Sequence, residues 1–213
     1  MMIDWEERWR EDDTPWEKGY AAPPLEEFLD EADCELLGAE RVLVPGCGSG
    51  HDVRAIRRHG IPATGLDLSA SAINRAMAQP AVGDEDYLCG DLFSKDWRVG
   101  RRFDAVWEHT CFCAIDPEMR PAYARAMSEI LPPGGFLTGV FFLTPWDPGE
   151  EHAGPPHEAS REEITKLFSP WFELRKEKVP ERAYPGREGR EWRAVFQRRE
   201  LSNPGVAEAP HNR

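Results

Sequence analysis

Positive charge is in short supply in this chain of 213 residues: 26 Lys and Arg stand against 39 Asp and Glu, for a net charge of −13. Phosphate contacts need clustered Lys and Arg, so no nucleic-acid-binding surface is expected, nor any attraction to an anionic membrane. Long apolar runs are missing as well; none approaches the roughly 20 residues a helix needs to span a bilayer. The N-terminal stretch MMIDWEERWREDD is charged and amphipathic, without the apolar centre of a secretory leader. Cysteines are few and irregularly spaced: Cys34, Cys47, Cys89, Cys111 and Cys113 give neither a disulfide framework nor a zinc-ligand pattern. Internal repeats are lacking too. The expectation is a cytoplasmic protein with reduced thiols, whose partner is a small molecule rather than a nucleic acid or a membrane.

What is present fits one folded unit. Hydrophobic residues make up 40% and charged residues 31%, the balance of an ordinary globular protein with a sizeable core. Asp4 is placed to cap a short helix that carries Trp5 and Trp9 on one face. A turn-rich loop follows over 14–24, then a helical pattern over 25–37. From there strands and helices alternate. Strands are expected over 41–45, 62–67, 85–89, 103–107 and 136–143, with helices over 51–59, 70–79 and 117–131. Pro132-Pro133-Gly134-Gly135 stops the last of these. After a Pro/Gly/His-rich insertion over 144–157, Ser160 caps a helix reaching Phe168, and strands over 171–178 and 191–198 close the pattern. This implies an α/β fold: a Rossmann-like three-layer sandwich with a seven-stranded, mostly parallel sheet and an antiparallel end. Residues 1–200 are read as one domain, with 1–40 as a helical extension and 201–213 as a disordered tail. Nothing demands more than a monomer.

The densest chemical signal is RVLVPGCGSGHD over 41–52. A buried strand breaks into Gly46, Gly48 and Gly50, which lets backbone approach a ligand where a Cβ would clash. Asp67 ends the next strand, where a carboxylate can hold the hydroxyl pair of a ribose. The spacing is G-x-G-x-G, whereas the dinucleotide fingerprint is G-x-G-x-x-G with its pyrophosphate on the helix N-terminus. A second acid, Asp91 in CGDLF, ends the third strand and is placed to meet an adenine amino group, for which dinucleotide sites have no regular use. S-adenosylmethionine therefore fits better than a nicotinamide.

The chain also carries W-x-x-x-W at Trp5 and Trp9, T-P-W at 14–16, V-P-G-C-G-S-G at 44–50 and G-L-D at 65–67. Further along stand F-D-A-V-W-E-H-T-C-F-C-A-I at 103–115, M-R-P-A-Y-A at 119–124 and G-P-P at 154–156. In these it resembles the thiopurine methyltransferase-like family, and within it the halide/thiol methyltransferases, over residues 4–198. The resemblance implies a class I methyltransferase fold and transfer of the methyl group of S-adenosylmethionine to a small soft acceptor, leaving S-adenosylhomocysteine. The acceptor it implies is a thiol, with sulfide, halide or thiopurine as further members of the class. It places Trp5, Trp9 and Trp16 over the cofactor, Gly46 and Gly48 beside its methionine portion, Asp67 at the ribose, and Asp91 with Leu92 around the adenine. His109 stands where thiopurine-type members carry Arg and halide/thiol-type members carry Tyr.

Physical chemistry adds roles and their plain alternatives. The tryptophans form either a lid attracted to a sulfonium or a helix docked on the sheet. His109 is positioned to face the acceptor or take its proton; otherwise it is a hydrogen-bonded structural group. Cys111 and Cys113 offer two thiols only, too few for zinc, and read as small packing groups. Glu108 reads as a helix-cap or salt-bridge acid, Arg120 as the partner of a carboxylate, and His152 and His157 as solvated loop residues. No metal is expected.

Overall fold

The computed structural model describes residues 3–147, 149 and 154–200. Helix α1, Trp5–Arg10, starts where the Asp4 carboxylate accepts the Glu7 N–H at 2.9 Å, the expected cap. Helix α2 covers only Pro23–Leu29, with Pro in its first turn, and a separate 3-10 helix covers Glu35–Gly38. The continuous helix expected over 25–37 is thus broken. Acids of this stretch meet cations from the C-terminal part of the chain: Glu31 meets Arg193 at 2.7 Å, Asp33 meets Lys176 at 2.7 Å and Asp30 meets Arg182 at 3.0 Å.

The alternating part follows: β1 (Val42–Pro45), α3 (His51–Arg58), β2 (Ala63–Asp67), α4 (Ala70–Ala78), β3 (Asp86–Cys89) and β4 (Ala105–His109). A one-turn helix α5 (Cys111–Ala114) comes next, which the sequence pattern did not suggest, then α6 (Arg120–Ile130) behind a 3-10 turn at Pro117–Met119. Strand β5 (Phe136–Phe142), helix α7 (Arg161–Phe168) and strands β6 (Phe172–Lys178) and β7 (Glu191–Arg198) complete the described chain. The tail beyond Glu200 and His152 lie outside the described residues.

The seven strands form one sheet in the order β3-β2-β1-β4-β5-β7-β6. Strands β1 to β5 pair in parallel, and β7 lies antiparallel between β5 and β6. The expected sheet and its antiparallel end are both present. Two buried clusters cover its faces. One gathers Phe28, Ile56, Trp107 and Tyr184, with Phe28 stacked on Trp107 at 6.0 Å between ring centroids. The other gathers Phe112, Tyr123, Phe141, Phe168 and Trp192. The first two parallel strands are buried throughout, β1 as a wholly apolar run, as a sheet covered on both faces requires. The carboxyl ends of β1, β2 and β4 meet where strand order reverses, the place where open α/β sheets bind ligands. Among the described residues no helix is long and apolar enough to cross a membrane.

Candidate functional site

After Pro45 the chain turns through Gly46 (φ +61°) and Gly48 (φ +52°), a backbone conformation that L side chains rarely adopt. The turn is also tightly enclosed. A Cβ on Gly46 would lie 3.1 Å from Cys111 Cβ, and one on Gly48 would lie 3.1 Å from the Trp9 ring. Gly50 answers to packing of another kind, since a Cβ there would meet the Tyr87 ring at 2.6 Å.

Asp67, 9% exposed, holds this turn in place. Its Oδ2 accepts the Gly48 N–H at 2.9 Å and its Oδ1 accepts the Ser69 N–H at 2.9 Å. Burial pushes its carboxyl above the usual range, against the pull of these backbone donors. Each oxygen accepts one of these backbone bonds and keeps a lone pair for a hydroxyl donor. The ends of β2 and β3 are tied by the Gly90 N–H, which donates to the Asp67 carbonyl at 2.9 Å. Asp91 is exposed, and its Oδ1 accepts the Phe93 N–H at 2.9 Å, fixing the turn after β3. Leu92 is half-buried against the cluster that includes Leu43 and Leu66.

The N-terminal segment is docked on the same loops by acids. Glu6 accepts the Ser69 hydroxyl at 2.7 Å and the Ser71 hydroxyl at 2.6 Å, at the start of α4. Those hydrogen bonds hold its carboxyl down at about 2. Glu17 accepts the Ser49 hydroxyl and faces His51 Nε2 at 3.1 Å. Arg75 lies over the Trp9 ring at 5.3 Å and donates to the Trp9 carbonyl. Trp16 packs edge-on to Trp5 at 5.3 Å and to Trp9 at 6.1 Å. Only Trp9 is fully buried, at 3% exposure, while Trp5 and Trp16 are half-buried. The docked helix thus sets Trp9 against Gly48 of the glycine turn.

Strand alternation separates two neighbours at the end of β4. Glu108 points into the α6 side, where its Oε1 accepts the Phe112 N–H at 2.8 Å and its Oε2 accepts the Tyr123 hydroxyl. It caps α5, one of the two roles its sequence allowed, and burial raises its carboxyl. His109 points to the other face. Its Nδ1 lies 3.6 Å from Asp52 Oδ2, its Nε2 3.9 Å from Glu191 Oε1, and its ring 5.9 Å from that of Tyr184. Asp52 is itself fixed, accepting the Ala22 N–H and the Trp107 Nε1–H, each at 2.8 Å. Sequence reasoning missed Asp52, Tyr184 and Glu191 as neighbours of His109. Period-two alternation places Glu191 on one face of β7 with Arg193 and Val195, and that was the signal available for it.

Burial pushes the Cys113 thiol up to about 12 and the Cys111 thiol well above its ordinary value, so both stay protonated packing groups. Among the described residues no group of three or more His, Cys, Asp and Glu could hold a metal ion. Arg120 pairs with Glu163 at 2.6 Å, as its sequence suggested, and also donates to the Glu158 carbonyl at 2.9 Å. His157 departs from the expected solvated loop residue. It is half-buried, its N–H donates to the Cys113 carbonyl at 2.7 Å, and burial lowers its imidazole below the ordinary value.

The donor set fits S-adenosylmethionine. A carboxylate suits ribose hydroxyls, and aromatic faces suit a sulfonium. Arg54, the cation behind the turn, is 4% exposed and donates to the Ser49 carbonyl at 2.9 Å and the Tyr87 hydroxyl at 3.2 Å. It is engaged there and does not serve a pyrophosphate.

Comparison with known proteins gives a consistent result. Residues 2–200 match the model of the family Thiopurine S-methyltransferase. The chain is 35% identical to thiocyanate methyltransferase 1 of Arabidopsis thaliana over 193 residues, 88% of this chain and 81% of that protein. It is 35% identical to probable thiol methyltransferase 2 of the same plant over 170 residues, 78% of this chain and 71% of that protein. Among solved structures, the 1,6-didemethyltoxoflavin-N1-methyltransferase of Burkholderia thailandensis, bound to S-adenosylhomocysteine, superimposes with a TM-score of 0.69 at 18% identity. That match covers 91% of this chain and 85% of that one, and establishes likeness of fold.

Proposed function

The chain belongs to the thiopurine S-methyltransferase family and is an S-adenosylmethionine-dependent methyltransferase, and from that premise we propose that it methylates the sulfur of a small thiol. The observation that carries the site assignment is the enclosure of the Gly46–Gly48 turn by Asp67, Cys111 and Trp9. In this reading Asp67 receives the ribose hydroxyls, and Gly46 and Gly48 offer backbone to the methionine portion. Asp91 and Leu92 flank the adenine; Trp5, Trp9 and Trp16 cover the site and keep water from it. When bound, the cofactor supplies an electrophilic methyl group on a sulfonium, which direct displacement transfers to the acceptor. A soft nucleophile then needs positioning and a dry site more than covalent help. His109, at the end of β4 beside β1, faces the acceptor. The thiocyanate- and thiol-acting relatives support a sulfur nucleophile as acceptor. The protein is proposed to work as a single-domain monomer in the cytoplasm; its five free thiols are in keeping with a reducing compartment.

Incubation with methyl-labelled S-adenosylmethionine and separate pools of thiols, sulfide, iodide, thiopurines and oxygen nucleophiles tests this reading. Label on sulfur products is expected. Label on oxygen or nitrogen acceptors alone would keep the methyltransferase and remove the acceptor class.

A further inference from the structure

Two buried polar atoms beside the end of β4 have no hydrogen-bond partner: His109 Nε2 and Glu191 Oε2. The His109 side chain is 9% exposed and that of Glu191 1% exposed. Buried polar atoms are nearly always paired, and each exception calls for an explanation such as a catalytic role or a bound water or ion. The charged groups facing His109 come from several elements. Asp52 belongs to α3 and Glu191 to β7, while Arg187, on the loop between β6 and β7, faces Glu191 Oε1 at 3.3 Å. The Tyr184 ring lies against the imidazole, and its hydroxyl is spent on the Tyr20 carbonyl at 2.8 Å. Glu17, from the N-terminal segment, is engaged with Ser49 and His51, and Glu108 faces the opposite side of the sheet.

We propose that the His109–Asp52–Glu191 group selects an acceptor that arrives as an uncharged thiol, removes its proton, and turns away acceptors that arrive as anions. The inference rests on the reading of this site as one for sulfur methylation. Two carboxylates, those of Asp52 and Glu191, and one guanidinium, that of Arg187, stand around this corner of the site. An arriving anion meets these two carboxylates at short range in a buried setting, where charge repulsion is weakly screened. A thiol arrives without charge, because near neutral pH an ordinary thiol of pKa about 8.5 is mostly protonated. Its S–H bond breaks, an N–H bond forms at His109 Nε2, and the electron pair stays on sulfur as the nucleophile for the methyl group. Once the neutral thioether has formed, the proton passes from His109 to water. Glu191 is the specificity element in this scheme, and Asp52 is a positioning residue.

The test uses the full chain loaded with S-adenosylhomocysteine and labelled with 15N-histidine; His109→Gln identifies the signal. Benzyl mercaptan is the thiol probe, and thiocyanate and iodide are the anion probes. Benzyl mercaptan is expected to convert His109 to its doubly protonated form, while both anions bind far more weakly. With S-adenosylmethionine present, Glu191→Gln is expected to raise kcat/KM for thiocyanate relative to benzyl mercaptan by about tenfold or more. His109→Gln is expected to lower kcat/KM for the thiol by roughly a hundredfold. Equal binding and turnover of thiocyanate and benzyl mercaptan, with a ratio unmoved by Glu191→Gln, would overturn the proposal. If no sulfur acceptor is methylated, the function proposed above fails, and the binding and 15N comparison still decides the charge selectivity of this pocket.

Discussion

Trp9 lies directly across Gly48: a Cβ built on the glycine would stand 3.1 Å from the indole, at a backbone φ of +52°. Cover and turn are therefore fitted to each other, and neither residue can grow. Gly48→Ala adds both a steric conflict and a disfavoured conformation, so it is expected to destabilise the protein by about 1–3 kcal/mol. Affinity for S-adenosylhomocysteine is expected to fall by about tenfold or more, the effect of about 1.4 kcal/mol. Urea unfolding and calorimetric titration read the two effects. Full affinity in the variant would show that the contact is not part of the cofactor site.

The cover is tied down by carboxylates, and this makes its docking sensitive to acid. Hydrogen bonds from Ser69 and Ser71 lower Glu6 from 4.5 to about 2; at Glu17 burial works upward, and bonds from His51 and Ser49 outweigh it, also giving about 2. Both folded values lie below the unfolded one, so the unfolded chain binds more protons between them, and stability from these groups rises with pH there. The contribution is complete above 4.5 and is lost as pH falls toward 2. Asp67, whose value is raised, has the opposite sign and opposes folding as pH rises past its ordinary 3.8. Tryptophan fluorescence followed from pH 6 down to about 2 is expected to report the release of Trp9 and Trp16. In the Glu6→Gln, Glu17→Gln double variant that transition should be much weaker; an unaltered transition would place the acid-sensitive tie elsewhere.

Glu108 shows how a buried acid can be structural although it neighbours the candidate site. Its two oxygens serve the Phe112 N–H and the Tyr123 hydroxyl. Tyr123→Phe removes one partner and leaves a desolvated carboxylate oxygen, at a cost of about 1–3 kcal/mol. Thermal unfolding should show this loss, while affinity for S-adenosylhomocysteine stays at the wild-type level. A large loss of affinity would mean that α5 transmits strain to Gly46.

Much of this was legible in the sequence because it is local. The alternation of strands and helices, the Asp4 cap, the glycine turn after β1 and Asp67 at the tip of β2 are each written in a few adjacent residues. Other features depend on distant residues, and the sequence pattern could not carry them. The helical pattern over 25–37 is broken after Leu29, where Asp30 and Asp33 meet Arg182 and Lys176 from a distant part of the chain. Helix α5 exists because Glu108 supplies its cap from the preceding strand. The surroundings of His109 combine α3, β4, β7 and a loop, so Asp52 and Glu191 lie 57 and 82 positions from it in sequence on opposite sides. His157 read as solvated because nothing nearby shows that its N–H meets Cys113.

The account stands most directly on Asp67 as the residue that receives the cofactor's ribose. Calorimetric titration of S-adenosylhomocysteine into the wild-type protein and Asp67→Asn is the deciding measurement. Binding to the wild type is expected, with a loss of roughly tenfold to a hundredfold in the variant, the cost of weakening charge-assisted hydrogen bonds. Equal affinity in the two proteins, or no binding to the wild type, would contradict the site described at the ends of β1 and β2.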